Sequence, residues 1–265
     1  MRQLLFGLFA ILTLGLLAGC SPKDDVPSSG TSQPVEEPVI AVNYHGDPPT
    51  YPNICMDAQN RRIPIIMFHD LVYERSRDTL WYDCSLDEFK AIIDAIDLEG
   101  MTVISLDELY DHLTTGKEIP TDSIVLTFDD NYQSFYDLAW PILKEKGYPA
   151  AMFVHTAFVG KTEGRPKMSW DTLKELAADP LMTIGGHTIN HFLDLKDRDI
   201  NVQRDELTIS KTELETQLNI TIDYLAYPNG SNGMDTQHLA EEAGYKMAFT
   251  IEQMPAEESP NIFAV

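Results

Sequence analysis

Positive charge is scarce in this chain. Its 265 residues include 19 Lys and Arg against 42 Asp and Glu, a formal net charge of −23. That shortage excludes nucleic acid as an expected partner, because such binding depends on Lys and Arg neutralising phosphates. It also disfavours adhesion to anionic lipid through surface charge. Cysteine is scarce too, with only Cys20, Cys55 and Cys84, at spacings that match no zinc pattern. Internal repeats are absent. Hydrophobic residues nonetheless make up 43% and charged residues 23%, the composition of a globular chain rather than a disordered one. At roughly 150 residues per domain the length allows one large domain or two small ones, and a fold of this size buries roughly 70–75% of its unfolded surface.

Residues 1–20 read MRQLLFGLFAILTLGLLAGC. Arg2 supplies a short positive start, Leu4 to Leu17 is a nearly unbroken apolar run, and small residues follow, the layout of a secretory signal. The run is shorter than the about 20 residues that a membrane span needs. Leu17-Ala18-Gly19-Cys20 resembles the lipobox of bacterial lipoproteins. That resemblance implies a signal peptide over 1–19, cleavage before Cys20 and lipidation of its thiol. The expectation is an extracytoplasmic monomer, lipid-anchored to a bacterial membrane and touching it only through Cys20. In such a compartment Cys55 and Cys84 are compatible with a disulfide and equally with two free thiols. Residues 20–39 are rich in Pro, Ser and acids and cannot bury a core, so they read as a flexible tether. Residues 40–62 read as an irregular lead-in, and the folded domain is expected over 63–265.

From residue 63 the pattern alternates. Short apolar runs at 63–68, 101–104, 124–128, 150–154, 181–185, 222–227 and 247–251 read as strands, and 261–265 as one more. Between them lie helical segments. Ser85-Leu-Asp-Glu88 and Ser105-Leu-Asp-Glu108 are capping boxes, with Gly100 and Gly116 as stops. Residues 132–146 read as a helix kinked near Pro141 and stopped by Gly147. Further helices are expected at 169–178, 200–218 and 235–243. Strands alternating with helices imply a parallel sheet covered by helices, open or closed into a barrel. Chemistry then belongs at the carboxyl ends of the strands.

Reactive residues fall at those ends. His69 follows the first run, Asp129 and Asp130 the run 124–128, His155 the run 150–154, His187 and His191 the run 181–185, and Asn229 the run 222–227. Two His four residues apart can point the same way from one helical turn, and imidazole suits Zn²⁺ and similar ions. Alone, the spacing is weak, and a surface pair explains it as well; Gly185-Gly186 before it suggests a close backbone approach. Adjacent carboxylates past a buried strand repel unless a cation relieves them, although either one also makes an ordinary helix cap. A His₂Asp set with open positions suits a catalytic metal, which acidifies water and polarises a carbonyl. A second carboxylate can then take the proton of that water. The reaction class is hydrolysis of an amide or ester.

Ile124-Val-Leu-Thr-Phe-Asp-Asp130 and His187-Thr-Ile-Asn-His191 look like the first two motifs of the polysaccharide deacetylases, the NodB-homology domains of carbohydrate esterase family 4. IPIIMFHDL (63–71), YPAAMFV (148–154), MSWDTL (168–173), YLAYPNGS (224–231) and AGYKMAFT (243–250) match in order. The resemblance covers about residues 63–250. It implies an α/β fold, a distorted (β/α)7 barrel of NodB type, and a divalent metal, commonly Zn²⁺. By that likeness Asp129 is the catalytic base, Asp130, His187 and His191 hold the metal, and Thr188 braces the His loop. The implied activity is removal of N-acetyl groups from an aminosugar polymer of peptidoglycan or poly-N-acetylglucosamine type. Alternatives are an O-acetyl esterase on xylan-like glycans and a non-catalytic glycan-binding lipoprotein.

Three departures stand out. The third motif usually carries an Arg that supports the base, and the matching position is Ala226. Its aromatic residue is replaced by Asn229, although a backbone donor survives and Pro228-Asn229-Gly230, with Tyr227 beside it, can still form half an oxyanion hole. The late Leu-x-His motif that supplies the general acid is missing before Val265. His69 resembles the Tyr-His or Phe-His element of poly-N-acetylglucosamine deacetylase relatives and is the expected substitute. Tyr132 and Trp170 suit either the site or the core.

Overall fold

The computed structural model describes residues 54–55, 57–58 and 61–265. The expected signal peptide, Cys20 and the tether lie outside the described residues, as does most of the lead-in. Among the described residues nine strands and six α-helices follow one another, alternating from β3 onward: β1 (Ile65–Phe68), β2 (Leu71–Val72), β3 (Cys84–Ser85), α1 (Leu86–Leu98), β4 (Thr102–Val103), α2 (Leu106–Thr115), β5 (Ser123–Asp129), α3 (Trp140–Lys146), β6 (Ala150–Val154), α4 (Trp170–Ala177), β7 (Met182–Gly186), α5 (Ile200–Leu218), β8 (Tyr224–Ala226), α6 (Met234–Glu242) and β9 (Met247–Phe249). Seven strands form one all-parallel sheet in the order β1-β5-β6-β7-β8-β9, with β4 joining the start of β5. β2 and β3 form a small parallel pair.

The sheet curls into a half-barrel covered by helices, the NodB-type α/β architecture expected. Among the described residues β1 and β9 do not pair with each other. A C-terminal turn sits at the start of β1 instead: Ile63 donates to Glu257 Oε2 at 3.1 Å, and Ala256 N donates to Ile63 O at 3.2 Å. β5 and β6 are buried along their whole length, as strands covered on both faces should be. Phe68 stacks on Phe128 at 5.0 Å and meets Phe89 at 5.3 Å, and Phe128 meets Phe135 at 4.6 Å. Burying each such side chain stabilises the fold by about 1.5–3 kcal/mol.

Local chemistry explains the helix ends. Ser85 and Ser105 both form complete capping boxes, with Glu88 and Glu108 reaching back. Gly116 and Gly147 close α2 and α3 with positive φ. The helix expected over 132–146 is remodelled where Pro141 interrupts it. Pro has no N–H to donate four residues back, and residues Phe135–Ala139 form a π-turn, with Trp140 N–H donating to Phe135 O before α3 begins. Residues 261–265 are not the extra strand expected, although they lie against β9: Ala248 N donates to Ile262 O and Val265 N to Ala248 O, both at 3.0 Å. Cys55 and Cys84 are free thiols.

Candidate active site

β5 delivers Asp129 as its last residue, and the chain leaves in the left-handed region at Asp130 (φ 73°) and Asn131 (φ 41°). β7 ends at Gly186, and the following segment is left-handed at Thr188 (φ 65°) and His191 (φ 58°). The two His therefore converge from an irregular loop and not, as the spacing alone suggested, from a helical turn. Non-glycine residues held this way cost about 1–3 kcal/mol each and persist only where their surroundings over-determine them. Glycine is required just before the loop. A Cβ on Gly185 would lie 2.5 Å from the Phe153 ring, and one on Gly186 would lie 2.5 Å from the Tyr245 hydroxyl.

The loops bring Asp130, His187 and His191 together, with one ligand atom from each within 4.8 Å of the others. Asp130 Oδ1 is 3.6 Å from His187 Nε2 and 3.3 Å from His191 Nε2. It is buried and makes no hydrogen bond to a protein atom. Tetrahedral ligands about 2.0–2.1 Å from one ion stand roughly 3.3–3.4 Å apart, which is close to this spacing. His187 Nδ1 donates to Ala226 O at 2.7 Å, so Nε2 keeps its lone pair for a ligand. Burial pushes His187 down to about 3 and lowers His191 as well, which leaves both rings neutral at pH 7. Burial alone would raise Asp130, but His187, His155, Lys167 and His191 around it hold the carboxyl below its usual range. An ionised carboxylate with two neutral imidazoles is a donor set suited to Zn²⁺.

Asp129 is buried beside this cluster. Burial first, and repulsion from Asp130 second, raise its pKa well above the ordinary value. His69, one residue past β1, is lowered chiefly by burial, while Asp130 raises it and His191 and Lys167 lower it. Those couplings put it within electrostatic reach of the His₂Asp cluster, and its ring lies 5.1 Å from that of Tyr82. Thr188 Oγ1 accepts from His191 N at 3.3 Å. Along the third segment, Tyr227 N–H is taken by Phe249 O at 3.0 Å and Pro228 has no N–H. Tyr227 and Pro228 thus supply no backbone donor, and exposed Asn229 follows them in the left-handed region at φ 52°. Tyr132 is buried, and Trp170 starts α4 packed against the core.

Several neighbours, His155 apart, carried no signal in the sequence. Lys167 Nζ donates to Asp130 O at 2.9 Å and sits 3.2 Å from the Tyr132 ring centroid. Burial pushes it down to about 8, against the pull of Asp130 and Asp70. His155 Nε2 donates to the same Asp130 carbonyl at 3.0 Å, and burial takes this ring down to about 2. Arg165 bridges Asp70 and Asp83, with contacts of 2.8 Å to each, and Ser134 donates to Asp70 at 2.6 Å. This cluster pins the turn after His69 to the loop that carries Tyr82. Lys167 and Arg165 sit in a polar loop, far in sequence from the groups they contact.

The polysaccharide deacetylase family model matches residues 116–248, half of the chain. YxkH of Bacillus subtilis strain 168, named for the same family, is 25% identical over 100% of this chain and 92% of its own length. The poly-β-1,6-N-acetyl-D-glucosamine N-deacetylase of Staphylococcus aureus strain MSSA476 is 24% identical over 99% of this chain and 89% of its own. Among solved structures, IcaB of Ammonifex degensii superposes with a TM-score of 0.68 at 25% identity, covering 77% of this chain and 91% of that one. The Streptococcus pyogenes deacetylase PplD, solved with acetate, gives 0.64 at 28% identity, covering 72% and 84%. With the strand-end carboxylates and imidazoles placed as described, the chain belongs to the polysaccharide deacetylase family.

Proposed function

We propose that this protein is a metal-dependent hydrolase, most simply a Zn²⁺ enzyme, that removes N-acetyl groups from an aminosugar polymer of peptidoglycan or poly-N-acetylglucosamine type. One observation carries the reading: Asp130 Oδ1 is buried without a protein hydrogen bond between the Nε2 atoms of His187 and His191, with a second buried carboxylate one residue away. The Staphylococcus aureus relative is named for N-deacetylation of such a polymer, which supports the substrate class. Trp81, 90% exposed beside Tyr82, offers an aromatic face of the kind that packs on the apolar face of a sugar ring.

Asp130, His187 and His191 would hold the ion, which when bound polarises the acetyl carbonyl and acidifies water. Asp129 accepts a proton from the attacking water, and its raised pKa makes it a stronger base than an ordinary carboxylate. Asn229 N–H donates to the oxygen that gains charge. His69 gives a proton to the departing amine nitrogen, and its lowered pKa makes the imidazolium a stronger acid. The same reading includes the N-terminus: removal of residues 1–19, a lipid on Cys20, and a tether holding a monomeric domain on the outer side of a bacterial membrane. Cys20→Ser is expected to release the protein from the membrane fraction.

The test is acetate release from a panel of acetylated glycans, with and without chelator. Release from N-acetylated aminosugar polymers that stops on chelation and returns with Zn²⁺ is expected. Activity indifferent to chelator overturns the metal mechanism. Preference for acetylated xylan reassigns the substrate, and Zn²⁺ binding with no release from any glycan reassigns the protein as a binder.

A further inference from the structure

We propose that Glu206 is a positioning residue for the metal ligands, a role that rests on the metal-site reading above. Glu206 lies on α5, away from the strand ends, and is only 3% exposed. A carboxylate so buried must be compensated by partners. Among the described residues no ion pair reaches it; all the compensation comes from the loop between the two His ligands. Oε2 accepts from Ile189 N at 2.8 Å and from Asn190 N at 2.9 Å, and Oε1 accepts from the Asn190 side-chain amide at 2.6 Å. Charge-assisted bonds of this kind are the stronger class.

The loop needs such a holder. It turns through the left-handed region at Thr188 and His191, neither of them glycine, and it has no helical or strand bonds of its own. Its carbonyls are fixed from the other side, where Thr156 N donates to Thr188 O and Ala157 N to Ile189 O, both at 3.1 Å. One element therefore grips the loop's oxygens and Glu206 grips its amides. His187 and His191 flank the gripped pair, so the spacing of their Nε2 atoms depends on it. Groups that orient metal ligands in this way typically carry 10–100-fold in metal affinity.

The experiment is calorimetric titration of the chelator-stripped full chain with Zn²⁺, in parallel with melting of the metal-free protein. Parent, E206A, E206Q and D205N are compared. Asp205 is the exposed neighbour on the same helix and controls for loss of one negative charge. E206A is expected to bind Zn²⁺ about 10–100-fold more weakly than the parent. E206Q keeps the shape, and a flip of the Asn190 amide restores a donor–acceptor match, so it is expected to fall between the two. D205N is expected to match the parent. Affinity in E206A is expected to drop even where melting of the metal-free protein is unchanged, which a merely structural role would not produce. Should E206A fail to fold, E206Q against D205N decides. Parent-like affinity in the folded Glu206 variants overturns the role of Glu206 and leaves the metal site standing. An equal loss in D205N also overturns it. A parent that binds no Zn²⁺ overturns both readings.

Discussion

Helices α1 and α2 start at Ser85 and Ser105, whose hydroxyls accept from the N–H groups of Glu88 and Glu108, while those glutamates reach back to the serine N–H groups. Positive φ enters there only at Gly100 and Gly116, where it costs little. The strand-end loops 129–131 and 187–191 are built the other way. They place Asp130, Asn131, Thr188 and His191 in the left-handed region, and they bury Asp130 Oδ1 and the Asn131 side-chain amide without protein hydrogen bonds. The capped helices are locally self-consistent, whereas the loops are held by distant groups such as Lys167 and Glu206. Strain and unsatisfied polarity collect where the chemistry is proposed, and the helices that cover the sheet supply the stability that tolerates them.

That contrast can be broken at either end. The largest effect is expected from Asp129→Asn. Loss of the base should lower kcat/KM for acetate release by about 10²–10⁴-fold, while Zn²⁺ affinity stays near the parent's. The urea midpoint should not fall, because a neutral amide replaces a buried carboxyl whose ionisation is already disfavoured. His69→Ala should follow, with kcat/KM reduced about 100-fold and Zn²⁺ stoichiometry unchanged; turnover equal to the parent's would remove His69 from the reaction.

Acid should act on the loops before the helices. Burial pushes His155 and His187 down to about 2 and about 3 in the folded protein, from 6.5 for the ordinary group. Between those limits the unfolded chain binds more protons, so their contribution to stability is full above about pH 6.5 and is lost as pH falls. Asp130, depressed below 3.8, acts in the same direction at lower pH. Asp129 acts the opposite way, since its raised pKa favours the folded state at low pH and that preference fades as pH rises. Burial lowers His69 and His191 in the same direction, so the imidazoles outnumber the one opposing carboxyl and the metal-free protein should lose stability as pH falls from 6 to 4, read as a falling urea midpoint. The smallest effect is expected from Ser105→Ala, which should cost about 1 kcal/mol and lower Tm by about 2–4 °C with kcat/KM unchanged.

Much of this was legible beforehand. Alternation of apolar runs and capped helices implies the parallel α/β architecture, and the strand-end rule by itself points to Asp129, Asp130, His187 and His191. The misreadings share a physical cause. A spacing of four suggested a helical turn for the His pair, but Gly185 and Gly186 press the end of β7 against Phe153 and Tyr245, and Glu206 and Thr156 hold the loop that follows in another shape. Tyr227 stands among the expected oxyanion and substrate residues, but Phe249 O of β9 takes its N–H. Arg165, Lys167 and Glu206 act across long sequence separations, and nothing local distinguishes them from surface charges.

Local sequence settled what depends on neighbours a few residues apart: helix starts at serine, stops at glycine, a wider turn before Pro141, and apolar runs that can be buried on both faces. Tertiary structure alone decided which side chains share a charge environment. Only when β5, β6 and β7 stand side by side in one sheet does one carboxylate oxygen come within 4 Å of three imidazoles, those of His155, His187 and His191. Burial then keeps these rings neutral and leaves that oxygen suited to a cation.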